Sequence, residues 1–233
     1  DFRIDDYKIY EKNYKSKHLC PNLIQEFQYG LSEIYYKKIK NSKNISVPGC
    51  YPTSILLPLI PLLKNDLIKT DNLIIDSKSG YSGAGKTFDK NNLFQNNKLN
   101  FYNYNTNQHR HICEINQELS KYSEDEVEFS FNPHILPIFR GMMSTIYCDL
   151  NKNFKHENLK EIIMNFYNGY DDIEILDDNI LADFQKVQNT NKCVIKFFKH
   201  YSSSKIIIVS LIDNLIKGAA GQAIQCMSLI KNN

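Results

Sequence analysis

Arginine and glycine are the scarce residues of this 233-residue chain. Of 28 basic residues only three are Arg (Arg3, Arg110, Arg140); Gly occurs nine times and Trp not at all. The net charge of +2, from 28 basic and 26 acidic residues, leaves no footprint for nucleic acid. No long hydrophobic run is present. The longest, Ser54 to Leu63, is broken by Pro58 and Pro61 and falls short of the ~20 apolar residues of a membrane helix. The six Cys (20, 50, 113, 148, 193, 226) form no CxxC pair in a chain large enough to fold without staples. They read as reduced thiols of a cytoplasmic protein. Repeats and heptads are also missing. The opening Asp1-Phe2-Arg3 has no charged-then-apolar leader, so no secretory signal is expected, and the chain reads as a segment of a longer protein. What is present is 42% hydrophobic residues, enough for a packed core. A chain so short of Arg and Gly is expected to keep them where a guanidinium fork or a bare Cα is needed.

Periodicity predicts a mixture of strands and helices. Leu23, Phe27, Leu31, Ile34 and Tyr35 recur at helical spacing and predict a helix over 22–40. A short strand is expected at 45–47, cut by Pro48-Gly49, with a helix over 53–64 after it. Further strands are expected at 73–76, 126–131, 143–149, 193–198 and 205–211. Helices are expected over 156–167 and 214–230, and the Asn-rich stretch 89–107 reads as loop. This pattern belongs to the α/β or α+β class.

Five segments carry chemistry, each with a plainer reading beside it. Cys50 sits in Val47-Pro48-Gly49-Cys50-Tyr51-Pro52-Thr53, where a strand ends, Gly49 allows a turn and Pro52 suits a first helical turn. A thiol at a helix N-terminus meets free N–H groups and the helix dipole, which lower its pKa and make a nucleophile. The plainer reading is a small residue beside a turn. His109-Arg110-His111 gathers two of six His and one of three Arg; on an extended segment both imidazoles point the same way. Either imidazole can move protons near neutral pH. A zinc site built with Cys113 and Glu114 is disfavoured, because no second ligand pair follows at metal-site spacing; the rival is an exposed polar loop. Gly80 to Thr87 matches the phosphate-loop pattern G-x-x-x-x-G-K-[ST] in full, which keeps an NTPase or kinase in play. Against it, the residues that follow are poor helix formers, whereas a phosphate loop must open a helix. Arg140 follows Pro133-His134 and Pro137 and is able to grip a carboxylate or phosphate, or to form a structural ion pair. Asp213-Asn214 precedes the small-residue run Gly218-Ala219-Ala220-Gly221, which permits close approach of a ligand or merely tight helix packing.

Taken in order, these segments resemble N-acetyl-γ-glutamyl-phosphate reductase, one of the aspartate-semialdehyde-dehydrogenase-like acyl-phosphate reductases. The matching residues are Val47 to Thr53, Ser79 to Gly85, His109-Arg110-His111 with Glu114-Ile115, Pro133 through Arg140-Gly141, and Ile212 to Leu215 with Lys217 to Ala223. Asp1-Phe2-Arg3 and Tyr29-Gly30-Leu31 also resemble the family. The resemblance spans nearly the whole chain. It implies an α/β fold: an α+β catalytic domain of the glyceraldehyde-3-phosphate-dehydrogenase-like type, plus the tail end of a Rossmann domain. Residues 1–49 would be that tail, 50–210 the catalytic domain, and 211–233 a terminal helix packing back on the dinucleotide-binding domain. A glycine fingerprint of the Rossmann type is missing, since only Gly30 precedes Gly49. The chain therefore reads as a fragment or a degenerate protein.

The resemblance further implies NADPH-dependent reduction of N-acetyl-L-glutamyl 5-phosphate to the 5-semialdehyde in arginine biosynthesis, with phosphate released through a Cys50 thioester. It makes Cys50, His109 and His111 catalytic, without choosing between the histidines. Tyr104, Arg110 and Arg140 would bind substrate; Ser79, Gly80, Asn214 and Lys217 would face the cofactor, NADPH/NADP. No metal is called for. The partners would be the small acyl-phosphate and further copies of the chain, as dimer or tetramer, with no nucleic acid and no membrane. The alternatives are the NTPase using Gly80–Thr87 and a truncated, non-catalytic chain.

Overall fold

The computed structural model describes residues 2–85, 88–95, 98–151, 156–202 and 204–231. The helices are α1 (Tyr7–Tyr14), α2 (Ser32–Lys40), α3 (Cys50–Lys64), α4 (His111–Ser120), α5 (His156–Phe166) and α6 (Gly221–Lys231). The strands are β1 (Phe27–Tyr29), β2 (Asn44–Ser46), β3 (Leu73–Gly80), β4 (Phe94–Gln95), β5 (Lys98–Leu99), β6 (Tyr102–Asn103), β7 (Phe129–Leu136), β8 (Met142–Asp149), β9 (Ile173–Ile175), β10 (Cys193–Lys199) and β11 (Lys205–Ile212). Seven of them form one sheet in the order β6-β7-β3-β8-β11-β10-β9. It is mostly antiparallel; only β3–β7 and β9–β10 run parallel. β1 and β2 make a separate parallel pair, and β4 and β5 a short antiparallel one.

Helix α3 lies across one face of the sheet and is buried from Tyr51 to Leu63. Its sequence is apolar on all sides, as a helix enclosed on all sides requires. Small hydroxyls let its first turns approach the sheet: Ser54 Oγ lies 2.7 Å from Ser144 Oγ, which lies 2.7 Å from Ser77 Oγ. Ser77, Ser144 and Ser210 are neighbours in register across three strands. Pro61 has no N–H to offer the Leu57 carbonyl one turn earlier. The Tyr167 hydroxyl donates to that carbonyl at 2.5 Å instead, so the proline leaves no orphaned acceptor.

The opposite face of the sheet is half covered. Leu176, Val187, Val194 and Leu211 form a satellite core under the loop that links β9 to β10. Beyond it, Ile74, Tyr147, Ile207 and Phe198 stand opposite one another across β3, β8, β11 and β10. Ile74, Tyr147 and Phe198 are exposed there and Ile207 is partly exposed.

Five expectations need correction. The helix predicted over 22–40 is split into a 3₁₀ turn at Pro21–Glu26, strand β1, and α2 from Ser32. Pairing of Phe27–Tyr29 with Asn44–Ser46 overrides the helical spacing. The His109–His111 segment is not extended, because α4 begins at His111 and Arg110 is already helical. The strand expected at 126–131 runs instead from Phe129 to Leu136, through Pro133. That proline is tolerated near the sheet edge, where the outer neighbour β6 is two residues long. The helix expected over 214–230 begins as a π-helical turn, Ile216–Ala220, before α6. The Asn-rich stretch carries a 3₁₀ turn at Lys90–Leu93 besides β4 to β6. No described helix is long and apolar enough to cross a membrane.

Candidate active site

The site is built at the N-terminus of α3. β2 ends at Ser46, the chain turns through Pro48-Gly49, and Cys50 opens the helix with Gly49 in extended conformation before it. Gly49 is a steric necessity. A Cβ there would lie 2.6 Å from His111 Nε2 and 3.0 Å from an Arg3 guanidinium nitrogen. The His111 ring is thus laid against the residue preceding the cysteine. Gly218, in the π-helical turn, closes the other side, since its Cβ would fall 2.7 Å from Cys50 Cβ.

Glu114, fully buried on α4, holds the turn. Its Oε1 accepts the Gly49 N–H at 2.9 Å and the Tyr29 hydroxyl at 2.8 Å. Its other oxygen faces Arg3 Nη1 at 3.3 Å. Burial pushes the Glu114 carboxyl above its ordinary range, against the pull of Arg3 and the two hydrogen bonds.

The thiol does not behave as helix placement alone predicts. Burial pushes Cys50 up to about 11; the backbone N–H groups of Tyr51 and Cys50 draw it back, Glu114 raises it and Arg3 lowers it. Desolvation outweighs the helix terminus here, so the resting group is a thiol.

Both imidazoles stay neutral at pH 7. Burial, aided by the charge of Arg110, pushes His109 down to about 4. Burial and the neighbouring His109, Arg3 and Arg110 hold His111 well below its ordinary value. His109 Nδ1 accepts the backbone N–H of His111 at 3.1 Å, which places the ring proton on Nε2. That nitrogen lies 3.4 Å from the Tyr104 hydroxyl, itself 3.1 Å from the Tyr51 hydroxyl, which donates to the His134 carbonyl at 3.5 Å. His109 is engaged in this tyrosine chain. His111 Nδ1 is buried with no hydrogen-bond partner among the described residues.

Three glycine-bearing segments meet beside this centre. Asn214 Oδ1 accepts the Gly141 N–H at 2.8 Å, and its Nδ2 donates to Ser82 Oγ at 2.9 Å. Gly80 packs against Phe139–Arg140, where a Cβ would lie 2.7 Å from the Phe139 carbonyl oxygen. Ser79 is buried, its hydroxyl bonded to the Gly80 carbonyl. Gly141 has φ +118°, a conformation that demands glycine. Asp213 organises the rest. One oxygen caps the N–H groups of Leu215 and Ile216, and the other accepts from Asn189 and pairs with Arg140 at 3.2 Å.

Arg140 is therefore engaged as a structural ion pair through Nη1, which also donates to Asn189 at 2.7 Å. Arg110 is exposed, its guanidinium 5.6 Å over the Tyr14 ring. Lys217 corrects the expectation of a cofactor contact. It is fully buried, and its ammonium pairs with Glu33 and donates to Gln225 at 2.8 Å, joining α2 to α6. Among the described residues the phosphate-loop alternative has no helix after its turn. After Gly80 comes a 3₁₀ turn, Tyr81–Ala84, and the next described turn is also 3₁₀. Lys86 and Thr87, which complete that pattern, lie outside the described residues. Among the described residues no group of three or more His, Cys, Asp or Glu is placed to hold a metal.

Residues 50–214 match the family model described as semialdehyde dehydrogenase, dimerisation domain. The chain is 45% identical over 230 residues to N-acetyl-gamma-glutamyl-phosphate reductase of Clostridium beijerinckii, covering 99% of this chain and 67% of that protein. It is 40% identical to the probable chloroplastic enzyme of that name from Arabidopsis thaliana, covering 99% and 57%. The chain belongs to the N-acetyl-γ-glutamyl-phosphate reductase family. It spans about two thirds of the length of these bacterial reductases. In fold it is similar to aspartate semialdehyde dehydrogenase II from Vibrio cholerae, at TM-score 0.69 and 16% identity, covering 90% of this chain and 69% of that one.

The reductase-family site holds residues that motif reading passed over in their roles: Arg3, Tyr29, Tyr51, Glu114 and Asp213. A signal for Glu114 exists in the sequence. Glu114 and Glu118 share the stripe of Ile115 and Leu119, and acids on the apolar face of a helix are buried acids that need partners.

Proposed function

We propose that this chain carries the catalytic centre of an enzyme that reduces N-acetyl-L-glutamyl 5-phosphate to N-acetyl-L-glutamate 5-semialdehyde and releases phosphate, a step of arginine biosynthesis. The observation that carries this reading is the His111 ring laid against Gly49, one residue from Cys50. With the thiol resting protonated and His111 neutral, the imidazole takes the thiol proton as sulfur attacks the acyl carbon and phosphate departs. His111 is the acid/base; His109, bound to Tyr104, positions it through the backbone N–H of His111. The same imidazole exchanges the proton again when the aldehyde leaves the sulfur.

NADPH, when bound, supplies the hydride. Ser79, Gly80 and Asn214 suit its nicotinamide end: after its two bonds Asn214 keeps one N–H and one lone pair for a carboxamide. For substrate, the Tyr104 hydroxyl stands beside His109 and Arg110 is exposed next to it in the chain, and Arg140 keeps Nε and Nη2 for an anion. A second copy covers the apolar row Ile74, Tyr147, Ile207 and Phe198, an unpaired sheet face suited to a homo-oligomer. Six free cysteines suit a reducing cytoplasm.

The test is Cys50→Ala in the chain extended to the length of its relatives. Loss of acyl-phosphate-dependent NADPH oxidation with an unchanged melting curve is expected; an active variant would sink the proposal. NADPH binding to these 233 residues, compared with the extended chain, separates a catalytic piece from a non-catalytic one.

A further inference from the structure

We propose that Arg3 and Glu114 are a charge-balanced positioning pair for Cys50. The carboxylate fixes the turn that aims the sulfur, and the guanidinium cancels the charge that this carboxylate would impose on a thiolate. The proposal rests on Cys50 being the nucleophile, but its geometry is independent of the substrate.

Three observations carry it. Glu114 is wholly buried and spends one oxygen on the Gly49 N–H, so the backbone entering the cysteine is anchored to a formal negative charge. An anion this close to a thiol opposes thiolate formation, and the raising effect of Glu114 on Cys50 is of that sign. Arg3 stands where it is able to offset this. Its Nη1 faces Glu114 at 3.3 Å and the Gly49 backbone, and its Nη2 donates to the Tyr14 hydroxyl at 3.4 Å. A forked cation spans both partners, which a lysine cannot do.

Arg3 is also held from behind, as a positioning residue must be. Ile4 is fully buried, and Phe2 stacks on Phe27 with ring centroids 4.0 Å apart. Gln117 on α4 donates to the Arg3 carbonyl at 2.9 Å and accepts the Asp5 N–H at 2.7 Å. Asp5 pairs with Lys121 at 3.0 Å. The opening segment is thus laced to the helix that carries both His111 and Glu114. The groups that act on the thiol are Glu114 from α4, Arg3 from the opening segment, Tyr51 from α3, and Tyr104, with the neutral His111 ring against Gly49 beside it. Only Arg3 among them is a cation at neutral pH.

The experiment reads the thiol directly. Iodoacetamide alkylation of Cys50 is followed by mass spectrometry from pH 6 to 10 on the 233-residue chain, so it does not depend on the reductase activity. Below the midpoint of titration, moving that midpoint by about one pH unit changes the thiolate fraction about tenfold. Arg3→Met is expected to slow alkylation at pH 8 by about tenfold or more. Glu114→Gln keeps an acceptor for Gly49 and Tyr29 but removes the anion, and is expected to quicken alkylation about tenfold. The double variant is expected to return near the parent rate. Unchanged rates in both single variants overturn the proposal. Slowing in both that deepens in the double also overturns it, because a purely structural pair behaves that way. If Arg3→Met does not fold, Glu114→Gln decides alone: a faster thiol supports the proposal, and an equal or slower one refutes it.

Discussion

Gly218→Ala is the sharpest probe of how the site is packed. The added methyl would lie 2.7 Å from Cys50 Cβ, 3.1 Å from Cys50 Cα and 3.2 Å from Ile212 Cδ1. Two of these three atoms are rooted in backbone, so no side-chain rotation relieves the clash. Helix propensity pulls the other way, favouring Ala over Gly by about 1 kcal/mol. Overpacking of a tight contact costs roughly 1–3 kcal/mol, which leaves a net loss of about 0–2 kcal/mol. For a chain of this size each kcal/mol lowers the Tm by about 2–4 °C, so a fall of up to about 8 °C is expected by calorimetry. Function suffers more than stability. The π-helical turn must move off the start of α3, and a displacement near 1 Å at a nucleophile costs on the order of 100-fold in rate. Acyl-phosphate reduction by the extended chain measures that loss. A variant that melts at or above the parent temperature and keeps its rate would refute the close contact between this turn and Cys50.

Tyr167→Phe leaves the Leu57 carbonyl of the proline-bearing helix without a donor and is expected to cost about 1–3 kcal/mol in urea unfolding; an unchanged midpoint contradicts the proposed compensation. Acid should destabilise the fold between pH 6.5 and 4. The His109 imidazole titrates near 4 when folded and near ~6.5 when unfolded, so the unfolded chain binds the extra proton and stability is lost as pH falls through that window. His111, also held low, adds to the slope, which reaches about 1.4 kcal/mol per pH unit for each imidazole. His109→Asn should make the Tm-versus-pH profile shallower there, and an identical profile counts against a neutral buried ring. Glu33→Leu with Lys217→Met is expected to melt near the parent, whereas Lys217→Met alone should lose roughly 3–5 kcal/mol by stranding the Glu33 charge; equal losses would show that the pair's charges are immaterial. Ile74→Glu with Tyr147→Lys is expected to shift the sedimentation coefficient toward a monomer without altering the circular dichroism spectrum, and an unaltered oligomer would move the interface elsewhere.

How much was legible follows from which forces decide each element. Strands β10 and β11 were readable because of their Ile, Val and Phe runs, and β8 because its residues alternate between buried and less buried faces. The turn before α3 was readable because Pro48, Gly49 and Pro52 restrict backbone directly. β1 was not, because Phe27–Tyr29 becomes a strand only through its partner Asn44–Ser46, a pairing that local spacing cannot report. α4 was missed for a related reason. Its acids Glu114 and Glu118 break the apolar stripe, and they make sense only once Arg3, Tyr29 and Tyr35 are placed against them. Cys50 shows the same limit in its chemistry. Position at a helix start argued for a lowered thiol, and the burial that reverses the sign depends on tertiary packing such as the Gly218 turn laid against Cys50.

One set of buried polar contacts gathers at a single junction. Arg3 and Tyr29 reach Glu114, Tyr35 reaches Glu118, and Glu33 reaches Lys217 and Gln225. Each joins the first 49 residues to the segment that follows Cys50. Apolar packing would hold these parts together at least as well, since buried ion pairs add little net stability over apolar residues of the same volume. They differ in what they allow. An apolar contact can slide by a fraction of an ångström at little cost, whereas a displaced ion pair leaves a bare charge in a dry place. The polypeptide that crosses this junction is Val47-Pro48-Gly49-Cys50 itself. Directional bonds at the junction therefore set where the sulfur stands relative to His111, the distance on which the proposed proton transfer depends.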